Sequence, residues 1–427
     1  MSICRMKREA VLRVALIMSV IGLLYYLGYL LFFGYLPAPF LYDKRDTFMD
    51  FFNVSYWAYK DDRYLSWGAV YPALSFLVVK CFYWVTGVIP SGNSSMVMRD
   101  ASAPVFYLYF MVFLISPLAW LYLERKEYGF SQMVAVYFIS IISTPALFAL
   151  ERGNLIVLAP VFLALYLVRK DAWRAFSVAV LVNLKPYFIL LFIPLVYRGN
   201  MRLFVISVYY SLALFVVSGT ILDPYYWQVI PNLFSFGSSS DLFSIREVLS
   251  LPASLSAYKY VLGHPSVIGS QYYLLYGGWA DLFGGVVGLM SLGGVVAALL
   301  ALYLYKDYCG DDLMLVVLVV VITNLSYTTG GYSLILYFPL IAVFGRLRYA
   351  RIYLLLLLFL VSPVDIIPLA HSYIGEQYSY LCGRTVGIDW TLGAGALIRP
   401  VLNYFLLLLV TVEVYKKNQL NQTFVEL

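Results

Sequence analysis

Charge is what this chain has least of: Asp, Glu, Lys and Arg make up 12% of its 427 residues, about half the share of an average soluble domain. A soluble chain of this length would form two or three domains and need a charged skin to cover them. Without that skin, a water-soluble fold is excluded. Cysteine is also scarce. Cys4, Cys81, Cys309 and Cys382 are far apart, with no CxxC or Cys/His zinc spacing, which excludes a disulfide framework or a sequence-evident zinc site. The two histidines, His264 and His371, are isolated in the sequence. No βαβ segment with a Gly-rich phosphate loop is present, so a nucleotide-sugar site is not expected. No internal repeat is visible to support an inverted-repeat transporter.

What is there in quantity is apolar. Hydrophobic residues make up 62% of the chain, Tyr and Phe number 40 and 29, and the mean hydropathy is +0.82. These values describe a polytopic membrane protein, with rings at headgroup level or lining a cavity. The net charge of +6 sits in single residues and short groups beside apolar runs, so it reads as a topology signal and no nucleic-acid partner is expected.

A crossing helix needs about 20 apolar residues. Candidate spans lie near 11–36, 68–90, 103–123, 131–150, 154–168, 173–184, 187–197, 203–222, 283–305, 313–327, 331–345, 351–368 and 393–415. The first, preceded by Arg5, Lys7 and Arg8, is too long for a signal-peptide core and lacks a small-residue cleavage site, so it reads as an uncleaved helix. Placing the basic groups Arg125/Lys126, Arg169/Lys170/Arg174, Arg198/Arg202, Lys306, Arg346/Arg348/Arg351 and Lys416/Lys417 in the cytoplasm predicts about 12 crossings with both termini inside. It also requires that 68–90 not cross fully and that 173–197 turn back at Lys185-Pro186. The fold class predicted is an all-α polytopic bundle in one domain spanning 1–427. Segments 37–102, 151–154, 223–282, 328–331 and 369–392 then share the outer face, where 37–66 and the long loop 223–282 stand apart as polar and are expected to carry short surface helices.

This topology collects the unusual polar residues on one side. The segment 37–66 carries Asp43, Asp46, Asp50, Asp61 and Asp62. A short surface helix over 46–58 would put Asp46 and Asp50 on one face, with Tyr56, Trp57 and Tyr59 as headgroup anchors. The plain alternative is a solvated loop whose acids balance Lys44, Arg45, Lys60 and Arg63. Glu151-Arg152-Gly153-Asn154 interrupts two apolar runs, which is costly in hydrocarbon unless the side chains face water or a cavity. It reads equally as a tight outer turn. Lys185, inside VAVLVNLKPYFILLFIPL, is an intramembrane charge and so a functional candidate. The alternative is a lysine reaching to the outer interface. Asp365 is expected to cap a helix or pair with an outer Arg.

In this order the pieces resemble the C-type (GT-C) integral-membrane glycosyltransferases, and within them glycosyltransferase family 87, the polyprenol-phosphate-mannose-dependent mannosyltransferases. Residues 151–199 resemble the family's G-Q-x-N, hydrophobic helix, basic turn, small-residue helix and (I/L)-K-x-x-P. Asn154 fits the Asn and Lys185 the Lys, while Glu151-Arg152 replaces Gly-Gln and Pro186 falls early. MDFFNVSYWA resembles D-F-x-x-Y-x-x-A, and Tyr71-Pro72 resembles Y-P-P. SSSDLFSIREVL and LSYTTGGYSLILYFPL resemble the family's long-loop and late motifs, with Gly330-Gly331-Tyr332 where the family has histidines.

The resemblance implies transfer of a hexose, mannose first, from a polyprenyl-phosphate donor to a lipid-linked or glycan acceptor at the outer face of the cell's inner or plasma membrane, with inversion. Asp50 would be the general base and Asp46 its neighbour. Glu151, Arg152, Asn154, Lys185 and Tyr187 would line the substrate cavity. No cofactor is expected, since the lipid-linked sugar is itself a substrate, and no metal is required. Independently of the family, such a transfer needs a base near the acceptor hydroxyl and cations near the leaving phosphate. A non-catalytic transporter, or a lipid-linked oligosaccharide flippase or polymerase, is the other class. It would need polar groups along a path to both faces, whereas these charges gather toward one.

Overall fold

The computed structural model describes residues 3–40, 47–168, 170–197, 200–236, 296, 312–325 and 331–425, and these are mostly helical. In chain order the first helices are α1 (Ile3–Phe33), α2 (Met49–Ala58), α3 (Ala73–Thr86), α4 (Ser95–Ala101), α5 (Ala103–Leu123), α6 (Phe130–Ile142), α7 (Thr144–Arg152), α8 (Ala159–Val168), α9 (Asp171–Leu184), α10 (Phe192–Tyr197), α11 (Met201–Leu222) and α12 (Val229–Phe236). Further helices occupy Asp312–Leu325, Ile341–Phe344, Ala350–Val361 and Gly395–Val425. Most of 223–282, read from sequence as a long outer loop, lies outside the described residues, as do Asp43 and Asp46.

Among the described residues three helices are long and apolar enough to cross a membrane: Arg8–Phe33 within α1, α5 and α11. A fourth candidate is the pair α6 and α7, bent by 45° at the break between them. The apolar stretch at 68–90 makes only the 14 residues of α3, shorter than the roughly 20 that a crossing needs. It starts after the extended Pro72 and stops at Gly87, whose φ of +67° ends the helix in the left-handed region. The stretch 173–197 is broken where its Pro stands. A residue before Pro avoids the helical region, and Lys185 is extended at φ −143°, ψ 116° between α9 and a 3-10 turn over Pro186–Leu191.

The described residues gather into two compact units interleaved in sequence. One comprises 1–47, 130–148 and 245–427, the other 48–129 and 149–244. In the first unit α1 packs on α6 and on Ala350–Val361, and Asp312–Leu325 packs on Gly395–Val425. Arg399 ties this unit's polar end. It donates to the carbonyls of Leu360 and Ser362 at 3.1 and 3.2 Å and pairs with both oxygens of Asp365. Asp365 thus takes the arginine partner expected of it.

The same unit holds the departure from an all-helical chain. Segment 369–392, read from sequence as an outer loop, forms an antiparallel hairpin of Pro368–Ser379 with Arg384–Gly393. The second strand carries Thr385, Val386, Ile388, Trp390 and Thr391, the branched and aromatic residues that fit a pleated surface. Tyr35 anchors it, its hydroxyl donating to the Asp389 carbonyl at 3.0 Å and accepting from the Asp389 N–H at 2.9 Å.

In the second unit α3 packs on α2, α5, α9 and α11, and α8 lies between α5 and α9. Its core is a ring cluster in which Phe51 meets Phe52, Phe82 and Tyr109 with centroids 5.3 Å apart in each case. Side chains close the polar gaps. Ser75 donates to the Leu184 carbonyl at 2.7 Å, one of the carbonyls left free where α9 stops. Asn183 reaches the Ser211 carbonyl of α11 at 3.1 Å.

Candidate active site

The second unit holds every described residue proposed from sequence for the site. Asp50 lies in the first turn of α2, the acidic end that suits a helix N-terminus. Its Oδ1 accepts from Arg152 Nη2 at 2.6 Å and its Oδ2 from Asn154 Nδ2 at 2.7 Å. The Asp50–Arg152 pair is only partly covered, with side-chain exposures of 16% and 14%. The structure therefore brings Asp50 to Arg152 and Asn154, which lie 102 and 104 positions further along the chain.

Two unusual backbone conformations make this meeting possible. Phe48 precedes α2 at φ 60°, a left-handed conformation uncommon for a bulky residue. Its N–H donates to the Glu151 carbonyl at 2.7 Å. Gly153 lies opposite at φ +67°, and a Cβ there would stand 3.0 Å from Phe51 Cβ and 3.1 Å from the Phe48 carbonyl. The end of α7 and the start of α2 thus interlock through backbone, and a side chain at 153 would be strained and crowded there. Asn154 then has a double role. Its Oδ1 accepts from the Ile156 N–H at 3.0 Å, which fixes the amide so that Nδ2 faces Asp50. Tyr109 closes the floor, its hydroxyl shared between the Ala149 and Asn154 carbonyls.

Lys185 is 8% exposed. Its Nζ lies 4.5 Å from the centre of the Tyr71 ring, a cation–π contact. Among the described residues the ammonium makes no hydrogen bond or ion pair; Asp50 is near enough to act on it electrostatically. Tyr71 sits between these charges. Burial first, and then the Asp50 carboxylate, push its hydroxyl upward, while Arg152 pulls it back, so it stays a donor at neutral pH. Tyr187 follows on the 3-10 turn, and its buried hydroxyl has no hydrogen-bond partner among the described residues. Glu151 is buried and contributes its carbonyl to the interlock. Arg152, expected beside the leaving phosphate, faces Asp50.

Sequence reasoning missed a second, fully enclosed pair. Arg63 Nη1 meets Asp223 Oδ2 at 2.5 Å with both side chains 1% exposed. The guanidinium also donates to the Trp57 carbonyl at 2.8 Å, to Ala58 at 3.2 Å and to Leu222 at 3.3 Å. It thus satisfies carbonyls at the C-termini of α2 and α11 together. The available signal was the Asp directly at the end of an apolar run. Among the described residues no three His, Cys, Asp or Glu side chains gather to hold a metal ion. No known family, curated protein or solved structure matches the chain.

Proposed function

We propose that this chain is a GT-C-like membrane glycosyltransferase. It moves a hexose, mannose first, from a polyprenyl-phosphate donor to a lipid-linked or glycan acceptor at the outer face of the membrane. About twelve crossings, with both termini in the cytoplasm, complete this reading. The observation that carries it is a carboxylate held by an arginine and an asparagine, with an unpaired, nearly buried ammonium in its electrostatic reach.

A carboxylate offers about four lone-pair positions, and Arg152 and Asn154 take one on each oxygen. Asp50 keeps acceptor capacity and has a fixed orientation. In the proposed reaction it takes the proton of the acceptor hydroxyl as that oxygen attacks the anomeric carbon. The bond from the anomeric carbon to the phosphate oxygen breaks, and its electron pair leaves with the polyprenyl phosphate. Lys185 stabilises that developing anion. Arg152 and Asn154 act as positioning residues for Asp50. One base and one displacement invert the anomeric centre, so a β-linked mannosyl donor gives an α-linked product. Product configuration read by NMR checks this step, and retention would refute it.

The test is incubation of membranes containing the protein with a panel of labelled polyprenyl-phosphate sugars, followed by lipid and glycan extraction. A labelled product with the wild type, and its loss with Asp50→Asn, is the expected result. No product from any donor would end the reading.

A further inference from the structure

Lys185 and Tyr71 meet from two breaks in the helical framework. Each precedes a proline, Pro186 and Pro72, and a residue before Pro is held out of the helical region. Lys185 is extended between α9 and its 3-10 turn, and Tyr71 stands in the loop that leads into α3. Their contact, with Nζ 4.5 Å from the ring centre, joins two positions whose backbones are both restricted. The ring is also fixed by its other neighbours. Trp67 lies nearly parallel to it, with centroids 6.1 Å and planes 15° apart, and Trp57 continues the stack on Trp67 at 5.4 Å and 2°. Phe76 meets Tyr71 at 75° with centroids 6.4 Å apart. The Tyr71 carbonyl accepts from the Tyr64 hydroxyl at 3.2 Å, and Asn232 donates to the Tyr64 and Ala69 carbonyls at 2.8 and 3.2 Å.

A buried charge ordinarily takes a partner of opposite sign. Asp50 is the carboxylate within electrostatic reach of Lys185, but its two oxygens are engaged by Arg152 and Asn154. Lys60 and Lys80 also lie over tyrosine rings, 5.0 and 5.2 Å from the centres of Tyr56 and Tyr59. Both are half-buried and keep contact with solvent, so neither depends on its ring. Lys185 is buried, and among the described residues the Tyr71 ring is the group its ammonium touches. An aromatic ring attracts a cation through its negative face. It takes up no hydrogen bond of the kind a carboxylate would accept, so N–H donors of the ammonium remain for a ligand.

We propose that Tyr71 is a positioning residue for Lys185, whose ring stands in the place of a counter-ion and holds the ammonium for the phosphate of a lipid-linked ligand. That the ligand is a lipid phosphate rests on the glycosyltransferase reading above. A carboxylate in the same place would neutralise the lysine and occupy its donors before a phosphate arrived. The ring holds the cation without cancelling its charge, so the site stays attractive to an anion. The stack of Trp57 and Trp67 behind Tyr71 keeps the ring, and with it the ammonium, in one position.

The test keeps the shape of the ring and changes its electron density. Position 71 of the full-length protein receives Tyr71→Phe and then mono-, di- and trifluorinated phenylalanine. Farnesyl phosphate and inorganic phosphate are titrated into each purified variant in lipid nanodiscs. Fluorine withdraws electrons from the ring face and weakens its hold on a cation. Tyr71→Phe is expected to bind farnesyl phosphate as the wild type does. Binding should then fall stepwise with fluorination, about tenfold by the trifluorinated ring. In a Lys185→Met background the same series should be flat, because no ammonium is left to hold. A merely structural ring would act equally in both backgrounds.

The proposal is overturned if fluorination leaves farnesyl phosphate binding unchanged, or if the series falls equally with and without Lys185. Loss of binding in Tyr71→Phe itself overturns it too, assigning the effect to the hydroxyl. Binding of inorganic phosphate with the fluorine dependence, while farnesyl phosphate does not bind, refutes the lipid-phosphate donor and leaves Tyr71 as the positioning residue of a free-anion site. Transfer from a polyprenyl-phosphate sugar with a donor KM that is flat across the fluorinated series refutes the positioning role and leaves the glycosyltransferase reading.

Discussion

Asp50 and Arg63 show how two ion pairs in one unit serve different ends. Arg63 and Asp223 are completely enclosed, and the guanidinium donates to one carboxylate and three carbonyls. Removing one partner of such a pair strands the other in a dry site. Arg63→Ala is expected to lose about 3–5 kcal/mol of stability, read as a fall in the unfolding temperature in detergent. The Asp50–Arg152 pair is partly open instead, which a reacting group requires. Asp50→Asn keeps the shape and removes the basicity. It should cost about 10²–10⁴-fold in transfer rate with the fold intact, and full activity would end the assignment of the base. Lys185→Met keeps the stem and drops the ammonium. It is expected to raise the KM for the lipid-phosphate donor by about 10–100-fold, the worth of a charged hydrogen bond. Unchanged donor kinetics with lowered stability would make Lys185 a structural lysine.

At the scale of elements, the site depends on helix ends. The break at Lys185 was legible in the sequence because Pro186 constrains the residue before it. The interlock of α7 with α2 was not, because nothing local says that Gly153 faces Phe48 and Phe51. Gly153→Ala tests that contact. The left-handed conformation costs a side chain about 1–2 kcal/mol, and a Cβ at 3.0 Å from Phe51 adds crowding. The variant should therefore unfold at lower temperature and lose activity, since it displaces both Arg152 and Asn154 from Asp50. Wild-type stability in Gly153→Ala would show that the backbone relaxes freely there. The hairpin at Pro368–Gly393 was missed for a related reason. Two strands of mixed polarity give no clear alternation, and their pairing is decided by a turn and by Tyr35, which is remote in sequence.

For the whole molecule, the distribution of Lys and Arg gives a topology that can be measured. Lys60→Cys in a cysteine-free background is expected to label with an impermeant thiol reagent from the outside only. Labelling only from the cytoplasmic side would invert the proposed orientation and with it the side of the reaction.

The sequence by itself determined that the chain is helical and apolar enough to enter a membrane, because composition and run length act through solvation alone. It also singled out Arg152, Asn154 and Lys185, because charged or polar groups beside long apolar runs demand partners, whereas Asp50 stands out through the resemblance to a D-F motif. Only the tertiary structure decided who those partners are. Arg152 and Asn154 go to Asp50, Arg63 goes to Asp223, and Lys185 goes to the face of Tyr71. Such pairings follow from distances between segments far apart in the chain. No local pattern records those distances, since they are set by the packing of the helices between them.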